Sequence, residues 1–407
     1  MSLYNNLAKL ISREVEQNST MMEANNYSVA TLAASAITKL PITLHFAKAM
    51  SSLKETRDLL LVSHVKGIIN ANEFAILYDV NMSKNPLFPY DNYEEFSLGN
   101  FSEEECIAEF RVEKNDLPVL GDALGIPPVF RCSQRSVFQG MEGLCMLLKR
   151  LPYPCRYSDM IPRFGRPVPE ISMMTNVVLD WIYNEHGHHL TDFNQPFLSR
   201  ASLRTYADAI HQKGAALNNC WGFVDGTVRP ICRPLQNQRI VYNGHKGVHA
   251  LKFQSIVTPN GLIANLYGPV EGRKHDSGML ADSGVYNELA RNSFDPAGHP
   301  LCLYGDPAYP LRVHLQAPFR NAVLTQQMED FNNSMSAVRS SVEWLFSDVI
   351  NDFKFLDFKK NLKIGLSSVG KMYVVSALLR NPITCLYGNT TSSFFDLDPP
   401  NIYDYFS

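Results

Sequence analysis

Between residues 218 and 379 the hydrophobic pattern runs in a set order of strand, hairpin, helix, strand and helix. That order constrains the chain more than any other feature. Cys220-Trp221-Gly222-Phe223-Val224 is a short apolar run ending at Asp225-Gly226-Thr227. Two further apolar runs, 250–258 and 262–267, meet across Pro259-Asn260-Gly261, and Asn-Gly between apolar segments is a strong hairpin signal. Residues 276–291 predict a helix with Met279, Leu280, Val285 and Leu289 inward, and 301–304 predict a strand ending at Gly305-Asp306. A long amphipathic helix follows over 328–353 and carries Glu343; a last helix falls near 367–379.

Two carboxylates stand out in this order, Asp225 and Asp306, each at the C-terminal end of an expected strand. If those strands are neighbours in one sheet, their ends lie ~4.8 Å apart laterally. Carboxylates so placed repel each other unless a cation lies between them. A hard divalent ion suits such a pair, and Mg²⁺ takes one or two carboxylates together with water and phosphate oxygens. Glu343, from the packed helix, would complete a site for two ions, which act on the attacking and leaving oxygens of a phosphodiester displacement. Each acid alone has a plainer reading: an Asp before Gly is commonly a turn residue, and a lone helical Glu is commonly solvated. The joint order favours the metal site.

The rest of the chain supplies charge and helices. The 407 residues carry a net charge of −3, which excludes a uniformly basic nucleic-acid binder. Residues 91–128 have a net charge of −8, residues 129–170 of +4 and residues 221–275 of +5, and phosphate binding needs only a positive face. The second basic island includes the segment 229–246 with Arg229, Arg233, Arg239 and Lys246, which reads as a solvated loop unless the chain acts on DNA, in which case it is expected to lie along the DNA. In the first, Arg156, Arg163 and Arg166 crowd the turns of a segment reading as helix (136–151), short helix (159–164), turn and longer helix (169–183). That is the outline of a helix-turn-helix, although a plain helical packing module has the same outline. The first ~85 residues read as helix at Leu7, Leu10 and Ile11 and again over 53–65, then reach a loop at Pro86 and Pro89. Eight scattered cysteines without metal-binding spacing read as buried thiols of an intracellular protein. No apolar run approaches the ~20 residues of a membrane span, and the N-terminus lacks the basic start and apolar stretch of a secretion signal.

Val224-Asp225-Gly226-Thr227, Gly272-Arg273-Lys274-His275-Asp276, Tyr304-Gly305-Asp306-Pro307-Ala308-Tyr309-Pro310 and Arg339-Ser340-Ser341-Val342-Glu343 together resemble the DDE endonuclease domain of PIF/Harbinger transposases and their domesticated relatives. The resemblance covers roughly 205–390, and the helical stretch 110–200 resembles the DNA-binding segment that precedes that domain. It implies an α/β RNase H-like catalytic domain, a mixed sheet flanked by helices, behind a mainly α-helical, helix-turn-helix-like region. It also implies Asp225, Asp306 and Glu343 as the three catalytic, metal-holding acids, with two Mg²⁺ ions for which Mn²⁺ substitutes. His275, Asp276 and Arg339 are possible supporting residues. Asp276, at a helix start, also fits an N-cap. Arg339 and Glu343 match an Arg-x-x-x-Glu signature of bacterial insertion-sequence transposases, four residues apart on one helical face, where the Arg can hold the Glu or a phosphate. The Tyr that opens that signature is Ser336 here, and its Lys is Ile350, with Lys354 about one turn further on.

The domains expected are a helical region 1–100, a helix-turn-helix-like region 101–204, the endonuclease domain 205–390 and a tail 391–407. The expected function is DNA transposition: cleavage at transposon ends and joining of the 3′ end to target DNA. The alternatives are a domesticated DNA-binding or regulatory protein that retains the fold, and a stand-alone nuclease. The resemblance further implies double-stranded DNA as substrate, a Myb-like accessory protein, a homo-oligomer and a nuclear location, or a cytoplasmic one without the accessory protein, with no membrane.

Overall fold

A computed structural model of the chain describes residues 53–81, 88–132, 136–320 and 323–407. The helix expected around Leu7–Ile11 and the turn at Pro86 lie outside them. Contacts divide the chain into residues 1–88 and 89–407. In the first unit, α1 (Leu53–Val65) and α2 (Ala71–Val80) bury Leu60 and Ile69 with Phe74 and Leu77 against them. A reciprocal cap starts α2: Asn70 Oδ1 accepts from the Glu73 amide at 2.9 Å, and Glu73 Oε2 accepts from the Asn70 amide at 2.9 Å.

The second unit opens with α3 (Glu103–Phe110), α4 (Asp116–Ala123), a small hairpin of β1 (Val129–Arg131) and β2 (Val137–Gln139), and α5 (Gly140–Arg150). The short α6 (Ile161–Phe164), then α7 (Val168–His186) and α8 (Arg200–Gln212) lead to the sheet. Its strands are β3 (Cys220–Pro230), β4 (Tyr242–Asn243, after the one-turn α9, Gln238–Val241), β5 (Val248–Val257), β6 (Ile263–Glu271), β7 (Cys302–Gly305) and β8 (Leu315–Gln316). The order is β4-β5-β3-β7-β8, with β6 also on β5. β3, β5 and β6 are antiparallel neighbours, whereas β7 joins β3 in parallel and β8 joins β7 in parallel, so the sheet is mixed as expected. α10 (Asp276–Ser283) and α11 (Val285–Asn292) precede β7. After β8 come α12 (Gln326–Asp352), α13 (Val369–Tyr387), α14 (Thr390–Phe395) and α15 (Ile402–Phe406).

The strands send side chains to two cores, with a register shift at Cys220/Gly222 that puts Trp221 on the face of Val224 and not of Phe223. Phe223, Phe253 and Val257 join Val338, Val342, Tyr373 and Leu378 of α12 and α13 on one face. Trp221, Val224 and Ile256 join Leu203, Leu280 and Leu289 of α8, α10 and α11 on the other. Each such side chain, once buried, stabilises the fold by roughly 1.5–3 kcal/mol.

Four expectations change. The helix expected over 276–291 breaks into two at Gly284, whose φ of +66° is the left-handed conformation that glycine takes without strain. β3 does not stop at Asp225 but continues to Pro230, because Gly226-Thr227 extends the strand instead of turning it. The stretch 391–407 is no loose tail: α14 and α15 pack on the core, and buried Tyr405 accepts a hydrogen bond from Asn381 Nδ2 at 2.9 Å. The helical stretch 101–204 shares one apolar cluster with the sheet, from Phe101 to Ile402. Among the described residues, no helix is long and apolar enough to cross a membrane. All eight cysteines are free, and five of them are buried.

Candidate active site

Parallel pairing of β3 and β7 aligns Val224 with Gly305, so the next residues along each chain are Asp225 and Asp306. They stand side by side, ~4.8 Å apart across the strands, Asp225 in mid-strand and Asp306 just past the end of β7. Asp306 Oδ1 accepts from the Ala308 amide at 2.9 Å, which closes the turn that starts there. Asp225 faces α12, where Arg339 Nη2 donates to its Oδ2 at 3.0 Å, and Asp225 Oδ1 accepts from the Gly226 amide at 2.9 Å. Burial pushes the Asp225 carboxyl up to about 6. The charge of Asp306 adds to the rise, while Arg339 and the Gly226 amide oppose it.

Glu343 lies one turn beyond Arg339 on α12, exposed to solvent, and its carboxylate has no hydrogen bond or ion pair among the described residues. Its helix meets β3 at two points. Arg339 touches Asp225, and Phe346, Ser347, Ile350 and Asn351 share a cavity with Arg229. Glu343 falls between these contacts, four residues after the first and three before the second. Among the described residues, no three His, Cys, Asp or Glu side chains converge as a ligand group. The structure therefore brings Asp225 and Asp306 together, with Glu343 on the helix that packs alongside them and Arg339 against Asp225.

Asp276 approaches from the opposite face of the sheet. It is the first residue of α10, not its cap: His275 takes the cap position without a side-chain cap bond. Asp276 Oδ1 instead accepts from Lys252 Nζ at 2.6 Å, and Lys252 also donates to the Lys274 carbonyl at 2.8 Å. A Cβ added at Gly226 would lie 2.6 Å from Asp276 Oδ1, so only glycine there lets the carboxylate approach the strand next to Asp225. Tyr309 packs on Gly305 and donates to Gln254 Oε1 at 3.4 Å. Its hydroxyl is held well above the usual range by burial, reinforced by the charges of Asp276, Asp225 and Asp306. Sequence reasoning missed Lys252, which reads as one more cation of a basic island, and Tyr309. Period-two alternation along β5 does place Lys252 on the face of Gln254, which is its only sequence signal.

The two basic islands fare differently. In the first, Arg163 bonds Glu105 at 2.7 Å and Glu109 at 2.8 Å, and Arg166 pairs with Glu142 at 2.5 and 2.9 Å and with Glu170 at 3.3 Å. Lys149 joins Glu109 at 3.1 Å. The acidic stretch and its neighbours thus pair with Lys149, Arg163 and Arg166, leaving Arg131 and Arg156 exposed. The longer helix of the expected helix-turn-helix, α7, packs against α5 and α13 with Ile171, Met174, Val178, Leu179 and Ile182 buried. A recognition helix needs a free face for the major groove, and α7 exposes Pro169, Asn184 and Glu185, with Asp180 half-exposed and paired with Lys371 of α13. In the second island, Lys252 and Lys274 are consumed by Asp276 and Asp282. Arg233, Arg239, Lys246, Arg273 and His275 remain exposed. Arg229 is half-buried, its guanidinium 5.1 Å from the Tyr373 ring centroid.

Residues 224–381 match the family model described as the DDE superfamily endonuclease. No curated protein and no solved structure matches the chain. The matched stretch contains Asp225, Asp306, Glu343 and Arg339, and a DDE endonuclease domain implies an RNase H-like fold, a nuclease acting on DNA and, in general, a divalent metal.

Proposed function

We propose that the domain over 224–381 is the catalytic unit of a PIF/Harbinger-type DNA transposase, which cuts phosphodiester bonds at transposon ends and joins the freed 3′ end to target DNA. The observation that carries this reading is the side-by-side register of Asp225 and Asp306 on parallel strands, with Glu343 on the helix packed along β3. Asp225 and Asp306 stand together as carboxylate donors, which fits Mg²⁺ or Mn²⁺, while Glu343 stands on the adjacent helix and does not converge on them in this structure. Asp225, Asp306 and Glu343 would hold the metal, which in two-ion sites supplies charge to the attacking and leaving oxygens of an in-line displacement.

The protein's own part is placement. β3 and β7 fix two carboxylates in register. Arg339 holds Asp225 and becomes available to a phosphate once that carboxylate is otherwise engaged, since guanidinium binds either anion in the same fork geometry. Arg229, Arg233, Arg239 and Lys246, with Arg156, are the contacts for double-stranded DNA. Arg163 and Arg166 leave this set because their guanidinium groups are committed to carboxylates. His275 and Asp276 support the site from the far face of the sheet. A Myb-like accessory protein, a homo-oligomer and a nuclear location belong to this reading through the family resemblance alone.

The test is nicking of a duplex bearing the element's terminal repeat, in Mg²⁺ or Mn²⁺. Asp306→Asn, at a half-buried turn, is expected to keep the thermal midpoint within a few degrees and to abolish metal-dependent cleavage while retaining binding. Cleavage by the variant equal to that of the wild type would refute the assignment.

A further inference from the structure

The path between β3 and α12 does not end at the acids. From Asp225 to Arg229 the strand advances ~13 Å, and from Glu343 to Asn351 the helix advances ~12 Å. The two elements thus run side by side away from the acids and flank a shallow, open cavity of about 200 Å³ lined by Arg229, Phe346, Ser347, Ile350 and Asn351. Arg229 lines it from the strand side, half-buried, with its guanidinium over the Tyr373 ring. At the far end of the cavity Lys354 donates to Asn351 Oδ1 at 3.3 Å. Lys354 begins a loop that reaches Lys359, Lys360 and Lys363, all three exposed and without an ion pair among the described residues. The Cys232 amide donates to the Leu362 carbonyl at 3.0 Å and ties this loop to the segment that follows β3. Phe358 and Leu366 are 50 % and 82 % exposed beside these lysines.

We infer that this cavity and the loop 354–367 form a second DNA-binding surface, which takes the phosphate backbone of the duplex flank leaving the acids. The inference rests on the nuclease reading and adds to it the direction of the substrate and the residues of the second wall. Arg229 contributes the contact nearest the acids, and Lys359, Lys360 and Lys363 the outer ones. Charge selects the occupant: residues 353–367 carry four lysines against Asp357 alone, and the adjoining segment presents Arg233. A polyanion is what such a face attracts.

The experiment measures binding of the full chain to a terminal-repeat duplex over a range of salt, with wild type and a Lys359→Gln/Lys360→Gln/Lys363→Gln variant. Removing one phosphate-binding cation lowers the slope of log affinity against log salt by about 0.9. The variant is therefore expected to bind more weakly and to show a slope smaller by about two to three. The substituted side chains are exposed, so an unchanged thermal midpoint shows that the fold is intact. Arg229→Gln should lower the slope by about one. Shortening the duplex on the flank that meets the loop should weaken the wild type and leave the triple variant unaffected. An unchanged slope in the triple variant overturns the inference, including the case in which the loop serves an acidic protein instead of DNA. If the wild type cleaves DNA and Asp306→Asn does not, such a result overturns only this surface and leaves the nuclease reading intact.

Discussion

Arg339 Nη2 lies 3.0 Å from Asp225 Oδ2, and the two side chains are only 21 % and 15 % exposed. A charge pair this sheltered depends on both members, because removal of one leaves the other uncompensated in a poorly solvated place. Arg339→Ala is therefore expected to cost about 2–3 kcal/mol at pH 7.5. The loss should shrink at pH 5, where Asp225 is largely protonated and needs no partner. Denaturant unfolding at the two pH values, in a chelator, measures the difference. Equal losses at both would show that the pair is not the source.

The Asp225 carboxyl titrates near 6 in the folded chain, against an ordinary value of 3.8. Because the folded value is raised, the native state binds more protons than the unfolded state between these limits. Stability attributable to Asp225 is thus fully present below pH 3.8 and is lost as pH rises through 6. Asp225→Asn removes that dependence. Its stability relative to wild type should improve by up to about 3 kcal/mol between pH 4 and pH 7. A difference that stays flat with pH would contradict the raised value.

The same titration bears on metal. Carboxylates must be deprotonated to bind a cation, so binding is coupled to proton release. Mn²⁺ affinity in the absence of DNA should rise steeply between pH 5 and 7, and calorimetry in two buffers of different ionisation heat should register release of up to one proton per chain at pH 5.5. Affinity independent of pH would show that Asp225 is not a ligand.

Lys252 and Asp276 make a second sheltered pair, with side-chain exposures of 7 % and 24 %. Lys252→Met should destabilise by about 2–4 kcal/mol, whereas Lys252→Met with Asp276→Leu should recover much of that loss, since no buried charge then lacks a partner. Gly226→Ala tests the same contact from the strand, because its new Cβ needs the place held by Asp276 Oδ1. It should lower stability by about 1–3 kcal/mol. Unfolding curves for the four proteins decide both points, and a double variant no better than Lys252→Met alone would refute the pairing.

The sheet was largely legible because apolar runs, the Asn260-Gly261 turn and an acid after each of two apolar runs are local signals, and the parallel pairing of β3 with β7 meets the one condition they required. The length of β3 was not legible. Asp-Gly-Thr reads as a turn, and only the contact of Asp276 across Gly226 explains why a glycine continues the strand. Nor could the first basic island be judged from composition: Arg163 and Arg166 look free until Glu105, Glu109 and Glu142 fold against them from up to 58 residues away. The helix-turn-helix outline of 136–184 was correct as an outline of helices, but whether α7 has an open face depends on α13, which is distant in sequence. The pairing of Asp276 with Lys252 escaped for a related reason, as each is ordinary alone and they meet only once β5 and α10 lie on the same face.

Glu343 is the acid on which the three-acid site depends most, since it alone stands exposed on α12 while Asp225 and Asp306 are already in register. Single-turnover cleavage of a terminal-repeat duplex by Glu343→Gln, with DNA affinity and the thermal midpoint measured alongside, tests its role most directly. Folding and binding should be unchanged, with cleavage slower by at least about 100-fold. A variant that cuts at the wild-type rate would show that Glu343 takes no part, and the three-acid site would have to be abandoned.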